Sequence, residues 1–339
     1  MPSFGRTQEV EHDIGRHGRF AIRVTSSEVE LRRVEGTTAR VWIEFDIRAS
    51  SESEADDVYS RVAFRVRAAE GSLEVSEPKA GDSGLASIVR ILGIGGARAE
   101  ATIRAEIPAD AQITYEGVSA DVTASGFTGT QVYRTVSGDL VLDQMAGDLQ
   151  INAVSGDVSV RAEAPIRLRA NTVSGDLSAY GPGFDELRVV TVSGDVELEG
   201  ALRGGAQHRI ETVSGDLSLG TAGGLTLEVR GLSSDVEVSL PHRSEGSRDR
   251  RRYVVGDGAA GLLFSSMSGD VSVFQSRRLA PMPAPAAPPA PPAPPLAPAP
   301  PAPPPLSDDE QLEILRAVER GEIDVDEAAR RLAGGRSDA

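Results

Sequence analysis

With a formal net charge of −16 over 339 residues, the chain has the wrong sign for nonspecific attraction to nucleic acid or an anionic bilayer. It contains no cysteine, which excludes disulfide stapling and thiolate chemistry, and no apolar run of about 18 residues that would read as a membrane span. The length accommodates one large domain and an accessory module.

Residues 1–14 lack the apolar core of a secretory signal and are expected to form a flexible lead, which places the chain as written in the cytoplasm. A repeat domain is expected over residues 15–278. Apolar residues alternating with polar ones predict strands over residues 19–24, 39–48, 61–67 and 99–107. Between the last two, Leu85, Ile88, Val89 and Leu92 recur at helical spacing inside a frame of glycines, as a short helix capping one end of the domain would.

From about residue 113 the chain becomes periodic. Val-Ser-Gly-Asp occurs five times between Val136 and Asp216, followed by Leu-Ser-Ser-Asp and Met-Ser-Gly-Asp. The aspartates at 139, 157, 176, 195, 216 and 235 set a unit of about 19 residues, within the range of stacked repeats. Three residues before the Val stand Tyr133, Ile151, Ala170, Val189, Ile210, Val229 and Phe264. Two further back is a column of leucines interrupted by Gln131 and His208. Directly after the Asp come Leu140, Val158, Leu177, Val196, Leu217, Val236 and Val271, with a further apolar column two residues on. Spacing by two on both sides of the motif reads as strand, Ser-Gly corner, strand. The glycines permit a tight bend or a close approach between coils. The fold class expected is all-β, a parallel β-helix (β-solenoid) of coils stacked at about 4.8 Å, because a hairpin sandwich would vary its turns.

Asp139, Asp157, Asp176, Asp195 and Asp216, if stacked, repel their neighbours by roughly 1 kcal/mol in water, which a divalent cation would relieve. Asp139, Asp148 and Asp157 stand nine apart, as in calcium-binding nonapeptides, but without the accompanying glycines. The expected role of each Asp is to cap its own turn. His12, His17, His208 and His242 are scattered without ligand spacing, and Asp56-Asp57 and Asp308-Asp309 carry little specificity in an acidic chain. Arg243, Arg248, Arg250, Arg251 and Arg252, diluted by Glu245 and Asp249, read as a solvated return loop over residues 241–252. No catalytic, cofactor-binding or metal-binding residue is assigned.

Residues 279–306 hold 15 of the 21 prolines and predict a disordered, semi-rigid polyproline spacer. Beyond it, Ser307 with Glu310 and Asp324 with Glu327 form two capping pairs. Leu312, Leu315 and Val318, then Ala328, Ala329 and Leu332, give each helix an apolar stripe, so residues 307–335 read as an α-helical hairpin. So small a hairpin buries too little surface to stand alone and is expected to self-associate or to meet a protein partner.

Thr-Ile-Arg-Ala-Glu-Ile-Pro-Ala-Asp-Ala (102–111), the reiterated Thr-Val-Ser-Gly-Asp, and Gly-Asp-Gly-Ala-Ala-Gly (256–261) before Met-Ser-Gly-Asp resemble the bacterial putative-adhesin family of β-strand-repeat domains of unknown function. The tail is similar to short two-helix modules of some envelope-stress proteins. The resemblance implies a β-helical, non-enzymatic fold and an association with the cell envelope. The functional expectation is a structural or protein-interaction scaffold. A polysaccharide-binding or polysaccharide-cleaving β-helix is the alternative.

Overall fold

A computed structural model describes residues 2–78, 98–247 and 250–276. The columns marked by the repeat are its core: Tyr133, Ile151, Ala170, Val189, Ile210, Val229 and Phe264 are each at most 2% exposed. Gln131 and His208, the polar exceptions in the neighbouring column, are buried with the leucines. Among the described residues, no helix is long and apolar enough to cross a membrane.

The chain begins with β1 (Ser3–Asp13), β2 (Arg19–Val24), β3 (Glu28–Val34) and β4 (Thr38–Arg48), followed by helix α1 (Glu52–Val62). Next come β5 (Arg65–Ala69), β6 (Ser72–Ser76), β7 (Arg98–Pro108), β8 (Gln112–Gly117) and β9 (Val122–Ser125). The regular coils follow as β10 (Thr130–Ser137), β11 (Leu140–Ser155), β12 (Val158–Thr172), β13 (Leu177–Val190), β14 (Val196–Leu202), β15 (Gln207–Glu211) and β16 (Leu217–Thr221). Last are β17 (Leu225–Ser233), β18 (Val236–Val238), β19 (His242–Ser247), β20 (Arg250–Val255), β21 (Ala260–Ser268) and β22 (Val271–Gln275).

Two sheet faces meet at the Ser-Gly corner. Before the corner, β2, β8 and β10 pair in parallel and lead onto the second halves of β11, β12 and β13. After it, β3 and β9 lead onto the first halves of the same long strands, then β14, β16 and β22. Like residues stack over like, as in Leu140 on Val158 and Val158 on Leu177. The result is a β-solenoid, as the period predicts.

The order of coils in space departs from their order in the chain at both ends. The coil of β21 and β22 inserts between that of β15 and β16 and that of β17 and β18. At the other end the first coil, β2 and β3, is flanked by the later strands β6 and β7 on one side and β8 and β9 on the other. Antiparallel strands cover the outermost coils: β20 and β19 lie over β17, and β4 and β1 over β7.

Three expectations change here. Residues 3–13 are strand rather than a flexible lead, because Val10 and its neighbours pair with β4 along their whole length. Residues 61–67 divide between the end of α1 and β5. Ser51 caps α1 by accepting a hydrogen bond from the Glu54 N–H at 3.3 Å, a Ser-x-x-Glu signal present in the sequence. Residues 242–247 and 250–252 lie in the antiparallel strands β19 and β20 rather than in a loop, since β17 offers an edge to pair with. The glycine-framed stretch 85–94, the proline-rich segment 279–306 and the hairpin 307–335 lie outside the described residues.

Candidate interaction edge at the repeated corner

The five corners between Val136 and Asp216 present the same four residues outward. The glycines are obligatory at the closest approach between coils. At Gly175, φ is +114°, and a Cβ would stand 2.3 Å from the Gly156 carbonyl oxygen; at Gly194, φ is +130° and the corresponding gap to Gly175 is 2.2 Å. Serine uses its backbone: the Ser174 and Ser193 N–H groups donate to the Val154 and Val173 carbonyls at 2.9 Å.

Aspartate bonds between coils, not within its own turn as expected. The Asp139 N–H donates to Asp121 Oδ1, Asp157 to Asp139, Asp176 to Asp157, Asp195 to Asp176 and Asp216 to Asp195, all at 2.8–2.9 Å. The ladder then passes to Asp270 and ends on Asp235, both at 2.8 Å, following the coils in space rather than in sequence. The seven carboxylates from Asp121 through Asp270 thus each satisfy a backbone donor of the adjoining coil, a charge-assisted bond that offsets repulsion along the row. Asp148, the intermediate member of the nine-residue spacing, is not in this row. It pairs with Arg167 at 3.0 Å on the flank.

The valines have no such task. Val118, Val136, Val154, Val173, Val192 and Val213 are 44–49% exposed, and Met267 continues the column at 58%. Just inside them run Thr135, Ala153, Thr172, Thr191, Thr212 and Ser266, all buried. The hydroxyls of Thr135, Thr191, Thr212 and Ser266 have no hydrogen-bond partner in the protein. Strand alternation carries on from the inward column through these residues, which turns the next residue, Val, outward. The Thr two places after Tyr133 was the signal for this, and the motif's apparent apolarity hid it. The exposed edge is therefore four parallel columns, of Val, Ser, Gly and Asp. A groove runs along it, lined by Ser193, Asp195, Ser214, Asp216 and Asp270.

The flanks are ion-paired between coils. Arg23 sits between Glu74 and Glu116, and Arg134 meets Glu116 from the next coil at 3.0 Å. Burial alone would raise the Glu116 carboxyl, but hydrogen bonds from Arg23 and Arg134 outweigh it and hold it below the usual range. The histidines remain apart: His12 bonds the Ala69 carbonyl, His242 packs on Tyr253, and His208 is 1% exposed with Nε2 on the Arg203 carbonyl. Among the described residues no group of His, Asp and Glu is arranged to hold a metal.

The family model described as Toastrack DUF4097 matches residues 9–274. No curated protein matches. Among solved structures, the chain is similar to a putative cell adhesion protein from Clostridium sporogenes at 11% identity and TM-score 0.24, covering 80% of this chain and 100% of that one. It is also similar to a putative adhesin from Bacteroides fragilis at 10% identity and TM-score 0.28, covering 79% and 97%. A putative lipid binding protein from Parabacteroides distasonis matches at 12% identity and TM-score 0.30, with the same coverages.

Proposed function

From the premise that the chain belongs to the Toastrack DUF4097 family, whose match spans the whole run of coils, we propose that it is a non-enzymatic scaffold for protein interaction whose contact surface is the corner edge. The exposed valine column carries this reading. Glycine and aspartate are needed to build the corner; valine at half exposure adds nothing to the core, yet it recurs from coil to coil. A continuous apolar line beside hydroxyl and carboxylate lines is a repetitive surface, and repetition multiplies weak contacts into avidity. Columns of Val, Ser, Gly and Asp offer no aromatic platform, which weighs against the polysaccharide reading.

The test is a triple substitution, Val154→Thr, Val173→Thr and Val192→Thr, which keeps the shape of the edge and its β-branching. Melting temperature is expected to shift by no more than about 3–6 °C, because three exposed substitutions at up to about 0.5 kcal/mol each total at most about 1.5 kcal/mol. Capture of the native protein partner by the full chain is expected to fall at least tenfold. Undiminished capture would remove the edge from the function.

The reading extends to self-association through residues 307–335 and a link to the cell envelope, supported by the capping pairs and apolar stripes of that segment and by the resemblance of the tail. Light scattering on the full chain and on a chain ending at Ala280 should give different subunit numbers. Equal monomeric masses would refute it.

A further inference from the structure

Among the described residues, four strands end the two faces, each paired on one side alone: β5, β19, β18 and β1. Three are short, at five, six and three residues, as edges that avoid association usually are. β1 is different. It runs eleven residues in unbroken register with β4, from Ser3 opposite Arg48 to Asp13 opposite Thr38, with neither proline nor bulge.

We propose that β1 is a self-pairing edge, joining a second copy of this chain through antiparallel β1–β1 contact about a two-fold axis at Gln8. The backbone sets the parity. The Pro2 carbonyl accepts from the Ala49 N–H and the Ile14 N–H donates to the Thr37 carbonyl, so even-numbered residues turn their polar groups toward β4. Odd-numbered residues, Ser3 through Asp13, therefore point theirs at the open edge. A two-fold at Gln8 pairs odd with odd, Thr7 on Glu9, Gly5 on Glu11 and Ser3 on Asp13. It is the register that uses the full strand.

Charge selects the same arrangement. The acids Glu9, Glu11 and Asp13 occupy one half of β1, while the other half, Ser3 to Thr7, has Arg6 as its charged residue. Antiparallel pairing about Gln8 sets every acid against a neutral residue and Arg6 against Val10. Shifting the axis to Glu9 would oppose that carboxylate to itself, and a parallel in-register pair would oppose all three acids. Main-chain bonds then supply affinity, as in strand addition generally, and the charge asymmetry supplies register. This proposal does not depend on the corner edge or on residues 307–335.

The absence of cysteine from the chain makes single-cysteine cross-linking in the full-length protein a direct reading of register. Gln8→Cys at the axis places two Cα atoms about 4.5 Å apart, within disulfide reach, and is expected to give mostly covalent dimer under mild oxidation. Glu11→Cys would sit six residues from its own mate, about 20 Å away, and is expected to stay monomeric on a non-reducing gel. The Gln8 side chain bonds the Phe64 backbone at 2.9–3.0 Å, so an independent pair guards against local disruption. An equimolar mixture of Thr7→Cys and Glu9→Cys chains should yield predominantly the mixed disulfide. Equal cross-linking at positions 8 and 11, or a mixture that forms no excess of mixed disulfide, would overturn the proposal. A strand of some other protein held on this edge would give no chain-to-chain disulfide at all, and that result would overturn it as well.

Discussion

Asp176 stands within the aspartate ladder. Its N–H donates to Asp157 Oδ1 and its own Oδ1 accepts from Asp195, so the residue is a link in both directions. Asp176→Ala removes an acceptor and is expected to cost about 1–2 kcal/mol in urea unfolding. Asp176→Asn keeps an acceptor oxygen and removes one charge from the row. It should retain most of the stability and flatten its dependence on salt, since like charges this close repel by roughly 1 kcal/mol when unscreened. His208 makes a second residue-scale case. Burial lowers its pKa and outweighs the Arg203 carbonyl, and Nδ1 has no partner in the protein. A base depressed on folding contributes its full stability above the unfolded value near 6.5, and that stability falls as pH drops from there toward the folded value. Unfolding free energy is therefore expected to decline below about pH 6.5, and His208→Leu, which restores the leucine column, to remove that part of the decline.

At the scale of elements, the interleaved ends decide stability. In a solenoid stacked in chain order, the last coil contacts one neighbour and frays first. Here β21 is bonded on both sides, to β15 and β17, although it is next to last in the sequence. Its amides, and those of β22 between β16 and β18, are expected to exchange with deuterium as slowly as those of β12. The earlier strands β18 and β19 should exchange faster. Fast exchange in β21 at the level of β19 would contradict the clamp. The arrangement also carries a kinetic consequence, because β21 closes on β15 only after β17 to β20 have been laid down, a nonlocal step of the kind that slows folding.

For the repeat unit as a whole, equivalence of coils is the governing property. Val158 lies on Leu140 from one side and on Leu177 from the other, so removing residues 158–176 rejoins Asp157 to Leu177 with every inward column still in phase. That deletion is expected to leave a folded chain with a single cooperative transition by circular dichroism and heat. Deleting residues 158–167 instead leaves half a coil, with Leu168 and Ala170 still inward but the next corner reached before the coil has closed, and is expected to abolish the transition. The proposed corner edge would be one coil shorter in the first variant, and β1 would be untouched.

Much of this was legible in the residues alone. The period of about 19, the inward columns and the bend at glycine follow from local chemistry, because stacked coils require each position to repeat its neighbour's environment. The Ser51 cap of α1 and the outward phase of the valines are present there too, in the Ser-x-x-Glu of residues 51–54 and in the Thr two places after Tyr133. The order of coils at the two ends was not legible. Parallel strands of one composition can stack on any equivalent edge, and nothing in the spacing of Asp216, Asp235 and Asp270 says that the last enters between the other two. Nor could the sequence say that each Asp bonds the next coil, since a carboxylate at a turn reaches its own amides as readily. Local periodicity determined what every coil is. Long-range backbone pairing, which depends on which edges are left open, decided how the coils are ordered and which surfaces remain to be covered.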